Sequence, residues 1–188
     1  MKGYQVIFPA AALVLGVISA PAHAASGCSP ATLKGSYTFV AHGAVLGTIA
    51  ATSSVVASLH PFATPQPLDD VAIIDFDGVN GIKRIDVAMI DGSPRGGQSS
   101  FNTDQTGSFQ VFANCTGQMT INYPGANGGT TLQLKMVVSD DGNIVDALIV
   151  SETVPASAAA ADGTRCATDG CAVGVQVSMQ GKKMASGH

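Results

Sequence analysis

The stretch Thr106 to Tyr123, TGSFQVFANCTGQMTINY, alternates apolar and polar residues in two runs that meet across Asn114-Cys115-Thr116-Gly117. Phe109, Val111 and Ala113 share one parity of the first run, and Met119, Ile121 and Tyr123 share one parity of the second. Successive side chains of a strand point to opposite faces, so the pattern predicts a half-buried β-hairpin with a cysteine at its tip. The hairpin itself carries no catalytic signature.

The same alternation recurs along the chain. Leu33 to His42 reads as a first strand. Ala44 to Leu59 reads as a further strand, because Val45, Ile49, Val55 and Val56 are β-branched while Gly47 and the Thr-Ser-Ser run disfavour a helix. His60 to Pro67 holds three prolines and predicts a loop. From Asp70 to Ile90, VAIIDF and IKRIDVAMI flank the turn residues DGVNG and form a hairpin. Asp91 to Gln105, polar and Gly-rich, reads as a mobile connection, and Pro124 to Thr130 as a loop. Thr131 to Val138 and Ile144 to Val154 make a third hairpin. Ala156 to Gly170 is an Ala-dominated surface insertion, Cys171 to Gln180 is the last strand, and Gly181 to His188 is a frayed tail.

These arms add up to about eight strands joined mostly by short turns. An all-β chain of this kind predicts a single antiparallel up-and-down barrel, since closure removes the exposed edges of an open meander. A β-sandwich is the alternative. The chain has no Trp and lacks the Cys, Trp, Cys spacing of immunoglobulin domains.

At the start of the chain, Lys2, the apolar run Val6 to Ile18 and the small-x-small site Ala22-His23-Ala24 predict a secretory signal peptide cleaved after Ala24. The run is shorter than the roughly 20 apolar residues of a membrane-spanning helix, and no second membrane segment is visible. Cleavage leaves residues 25–188 as one domain, periplasmic or secreted. Without Lys2, 8 basic residues face 13 acidic ones, a net charge near −5 with His neutral. Nucleic acid is excluded as a partner on that ground, because its binders concentrate Lys and Arg on one face. Here Lys83-Arg84 and Lys182-Lys183 are isolated pairs, read as solvated surface.

Four cysteines, Cys28, Cys115, Cys166 and Cys171, remain in the exported chain. An even count predicts disulfides, with three pairings open to them. Cys166 and Cys171 are near enough to close a small loop, which leaves Cys28 for Cys115. The competing reading is a metal site, but the spacing lacks Cys-x-x-Cys and no His pair follows.

Leu33-Lys34-Gly35-Ser36-Tyr37-Thr38-Phe39, Ile73-Ile74-Asp75-Phe76-Asp77-Gly78, Thr106-Gly107-Ser108-Phe109 and Asn114-Cys115-Thr116-Gly117 resemble motifs of bacterial exported proteins with an allene-oxide-cyclase-like barrel. The resemblance implies a small calycin-like barrel. It also implies, as an activity, cyclisation or isomerisation of an enclosed lipid-like substrate. The long Ala44 to Leu59 segment and the Cys166 and Cys171 insertion depart from that pattern.

Candidate chemistry is sparse. Glu152, the only glutamate, follows the apolar Ala147-Leu148-Ile149-Val150 run. Facing a barrel interior it would be a candidate general acid or base; the plainer expectation places it at a strand end in water. His42 and Asn122 are the other catalytic candidates. Asp75, Asp77 and Asn80 partly match a calcium loop, but the stretch ends in Gly81-Ile82 without the terminal bidentate Glu, and a hairpin turn explains it better. No G-x-S-x-G elbow and no phosphate-binding loop is present. The reading is a non-enzymatic barrel without a cofactor that binds a small apolar ligand or an envelope partner. A cyclase or isomerase and a structural or adhesive surface protein are the alternatives.

Overall fold

The computed structural model describes residues 27–52, 55–124, 129–166 and 170–185, so the predicted signal peptide and its cleavage site lie outside the described residues. The described residues form one antiparallel sheet of nine strands: β1 (Gly35–Thr52), β2 (Val55–Phe76), β3 (Gly81–Ile90), β4 (Ser93–Pro94), β5 (Asn102–Val111), β6 (Thr116–Tyr123), β7 (Thr130–Val138), β8 (Ile144–Val154) and β9 (Cys171–Lys183). Their order is β2-β1-β9-β8-β7-β6-β5-β3-β4, and β2 also pairs with β3. Eight strands therefore close into a ring, barrel-like or sandwich-like in section, and only the two-residue β4 stands outside it. This is the all-β, antiparallel, up-and-down arrangement that the alternation predicts. Closure pairs the ring strands on both sides over much of their length and leaves β2 before Leu68 one-sided.

Several segments differ from the sequence reading. Ala44 to Leu59 is not a strand of its own; it is the end of β1 and the start of β2. The expected loop from His60 to Pro67 lies within β2. Two facts reconcile its prolines with a strand. Before Leu68 this strand has only β1 beside it, because the β2–β3 pairing begins there, and a one-sided strand tolerates a residue without an N–H. In addition, Val45 pairs with Gln66 and Gly47 with Pro61, so residues 62–65 bulge out opposite Leu46.

Asp91 to Gln105 is also more ordered than a mobile connection. It contains β4, a 3-10 turn over Arg95–Gly97 and the start of β5. The tail expected to fray from Gly181 instead continues β9 through Lys183, with Tyr37 facing Lys183 across the β1–β9 ladder.

The interior divides into two halves. One is apolar: Tyr37, Phe39, Phe76 and Phe109 gather with Val145, Met136 and Met179, all buried. Phe76 packs edge-on against Tyr37 at 5.3 Å and against Phe109 at 5.0 Å between ring centroids, an arrangement that matches positive ring edges to negative faces. Leu33, wholly buried at the end of the 3-10 turn Pro30–Leu33, adds to this core. The disulfide Cys28–Cys115 ties the entering chain to the β5–β6 turn, with 4.9 Å between Cα atoms.

The β7–β8 turn is fixed to the same half. Gly142 has a φ of 68°, and a Cβ there would lie 2.3 Å from the Thr32 carbonyl oxygen. Its own carbonyl accepts a hydrogen bond from the buried Tyr37 hydroxyl. Tyr37→Phe should leave that carbonyl without its partner and cost about 1–2 kcal/mol, read as a lower urea midpoint at unchanged m-value. A loss below about 0.3 kcal/mol would show that solvent replaces the hydroxyl.

Candidate functional site

The other half of the interior is polar, and strand parity builds it. On β3, Ile82, Arg84, Asp86 and Ala88 face inward and are buried. Arg84 and Asp86 are both at 0 % exposure, so the expectation that Lys83-Arg84 is a solvated pair holds for Lys83 alone. Asp70 from β2, Gln105 from β5 and Tyr123 from β6 converge on them.

Arg84 Nη1 donates to Asp86 Oδ2 at 2.5 Å and also to Gln105 Oε1 and the Tyr123 hydroxyl. Its Nη2 donates to Asp70 Oδ2. Asp86 in turn accepts from Tyr123 Oη at 3.0 Å and from the side-chain amides of Gln105 and Gln98, the latter at 3.4 Å. Each oxygen of Asp86 is thus supplied with donors, as a buried carboxylate requires. Burial raises the Tyr123 hydroxyl above its ordinary range, which keeps it a neutral donor.

A second ion pair borders this network. Arg95, carried inward by the 3-10 turn after β4, donates to Glu152 Oε1, and its guanidinium carbon lies 4.7 Å from the centroid of the Tyr123 ring. Glu152 is 1 % exposed. The expectation of a solvated strand end is therefore corrected, and the cause is a bulge. Gln133 and Leu134 of β7 pair with Ser151 and Ile149 of β8, leaving Val150 as an extra residue. The inward parity of Val145, Ala147 and Ile149 shifts by one and Glu152 turns inward.

Beside Arg95 and Glu152 a cavity of about 310 Å³ opens at the end of the ring. Val45, Phe62, Ile90, Val154 and Val173 form its apolar wall, and Pro155 with Ala156 to Ala158 of the insertion line it as well. Phe62 reaches the wall from the β2 bulge. The insertion is pinned to this end by Ala161 N–H to the Pro61 carbonyl at 2.8 Å, Thr48 Oγ1 to Ser157 Oγ at 2.9 Å and His60 Nδ1 to Asp162 Oδ2 at 2.7 Å. Cys166 and Cys171 form the second disulfide at the far end of the insertion.

The other sequence candidates lie elsewhere. His42 is exposed on the outside of β1, 2.7 Å from Asp69 Oδ1. Asn122 is exposed on β6, where it accepts from Thr131 Oγ1. The structure thus brings neither to Glu152. Asp77 Oδ1 accepts the backbone N–H groups of Val79, Asn80 and Gly81, which hold its pKa below the usual value, and Asp75 accepts from Ser36. The Asp77 contacts cap the β2–β3 hairpin turn, and the Ser36–Asp75 contact crosses the β1–β2 ladder. Among the described residues no three His, Cys, Asp or Glu side chains are grouped to hold a metal ion.

Asp70 makes the cluster sensitive to pH. Burial pushes its carboxyl up to about 6, although Arg84 pulls the other way. The folded value lies above the unfolded one near 4. The stability this group contributes is therefore complete below about pH 4 and lost as the pH rises through about 6. Between pH 4 and 8 it should account for roughly 2 kcal/mol of falling stability, and Asp70→Asn should flatten that part of a urea-unfolding pH series. An unchanged slope in the variant would assign the dependence to another group.

The network of Arg84, Asp86, Asp70, Gln105 and Tyr123, with Arg95 beside it, was not visible as a site in the sequence. The one available signal is that Arg84 and Asp86 share a parity with Ile82 and Ala88. Among the described residues no helix is long and apolar enough to cross a membrane, which says nothing of strands. Comparison of the chain with family models, with curated proteins and with solved structures finds no match.

Proposed function

We propose that the protein is an exported, non-enzymatic β-ring protein that binds one small, mainly apolar molecule in the end cavity. The observation that carries this reading is the cavity itself: about 310 Å³, walled by Val45, Phe62, Ile90, Val154 and Val173, with the paired Arg95 and Glu152 as its charged lining. Small-molecule sites combine an apolar lining of this size with a few placed polar groups. Export is supported by the signal-like N-terminus and by two disulfides, which persist in oxidising compartments.

The test is native mass spectrometry of the mature protein purified from its own host. A retained small molecule, released on unfolding, is expected. A protein that emerges empty and shows no thermal shift with any apolar probe would sink the reading.

The inward turn of Glu152 favours one second reading, a cyclase or isomerase of the allene-oxide-cyclase-like kind, with this carboxylate as the acid or base. It predicts a product of changed structure when a lipid-like epoxide is incubated with the protein, and loss of that product in Glu152→Gln.

A further inference from the structure

The polar side of the cavity says more about its occupant than the apolar wall does. Glu152 Oε1 is occupied by Arg95, while Oε2 is buried and has no hydrogen-bond partner among the described residues. A buried carboxylate oxygen without a donor is costly, and Glu152 lines the cavity, so the group that meets it there should be a donor. Charge points the same way. Among the described residues five charged groups face this half of the ring: Arg84 and Arg95 against Asp70, Asp86 and Glu152. Arg84 is committed to Asp70 and Asp86, which leaves Arg95 and Glu152 matched to one another at the cavity. A carboxylate ligand would compete for Arg95 and leave Glu152 a buried charge without a counterion. An ammonium adds a positive charge where acids outnumber bases, and supplies N–H donors to Oε2.

We infer that the cavity selects an apolar amine, its ammonium group donating to Glu152 Oε2 and its hydrocarbon lying against Val45, Phe62, Val154 and Val173. The inference rests on the binding function proposed above and specifies the class of ligand.

The experiment compares n-octylamine, n-octanol and n-octanoate, matched in chain length, by titration calorimetry against the mature protein at neutral pH. The expected order is amine, then alcohol, then acid, with the amine at least about tenfold tighter than the acid, equivalent to about 1.4 kcal/mol. In Glu152→Gln the amine should lose that preference. Should the Gln variant not fold, the order in the unaltered protein still decides. Val154→Phe, which narrows the cavity from its apolar wall, should weaken all three probes together; amine binding that it leaves unchanged would place the amine elsewhere and overturn the inference. Octanoate binding as tightly as the amine, or more tightly, would overturn the amine assignment and leave the binding function standing. If none of the three binds, both fall.

Discussion

Arg84→Leu should lower the unfolding free energy by roughly 3–5 kcal/mol, a large share of the roughly 5–15 kcal/mol that holds a typical domain together. The side chain is wholly buried, yet its hydrophobicity is not what the fold uses. Its guanidinium supplies donors to Asp70, Asp86, Gln105 and Tyr123 at once. Leucine would fill much of the volume and leave two carboxylates facing one another without a cation, a far more costly state than a pair removed whole. Arg84→Lys keeps the charge but offers a point rather than a planar fork, so it should fall between the two. The neighbouring Lys83→Leu is the control. That side chain is exposed on the outer parity of the same strand, and its loss should change stability by no more than about 0.5 kcal/mol. Urea unfolding of the three variants reads the comparison. An Arg84→Leu cost below about 1 kcal/mol would mean that the network reorganises around the gap.

The sequence shows why this network stays hidden while the ring does not. Most strands announce themselves by alternation, and the central hairpin Thr106 to Tyr123 buries Phe109, Val111, Met119, Ile121 and Tyr123 on the faces its pattern assigns. On β3 the pattern misleads. Its outer parity carries Ile85, Val87 and Met89, whereas its inner parity carries Arg84 and Asp86, so a reading that buries the more apolar face selects the wrong one. The same holds in milder form on β2, where Val71 and Ile73 lie outside, 47 % and 36 % exposed, and Asp70 lies inside. Polar residues face inward here because they arrive as a set whose side chains hydrogen-bond to one another across four strands, and no single strand records that meeting. Glu152 is hidden for another reason. Its direction depends on one extra residue at Val150, and a bulge is a property of pairing with β7 rather than of the segment alone. Gln98 and Arg95 come from a Gly-rich stretch with no periodicity to read.

Cys28→Ser should destabilise the protein far more than Cys166→Ser, although each breaks one disulfide. The bridge Cys28–Cys115 spans 87 positions and Cys166–Cys171 spans 5. Restricting the unfolded chain by these loops is worth about 4.6 and about 2 kcal/mol respectively in the loop-entropy account, so the variants should differ by roughly 2–3 kcal/mol in unfolding free energy. The folded state adds to the contrast. Cys28 is buried in the apolar core, and Cys115, with a φ of 62°, sits in a turn whose carbonyl accepts from Val138 N–H at 2.9 Å. That one residue therefore joins the N-terminal segment, the β5–β6 turn and β7. Cutting the bridge at Cys28 leaves the turn intact and isolates the loop term. Cutting it at Cys115 with glycine instead of serine also relieves the positive φ, which costs a non-glycine residue about 1 kcal/mol or more. Cys115→Gly should accordingly be milder than Cys115→Ser. The short bridge closes the insertion beside the cavity, so Cys166→Ser should lower the global midpoint by the smaller of the two amounts while hydrogen exchange rises between Ala156 and Cys166. Equal losses for Cys28→Ser and Cys166→Ser would show that the unfolded state already holds Cys28 near Cys115 without the bond, because only residual structure in that ensemble can cancel so large a difference in loop length.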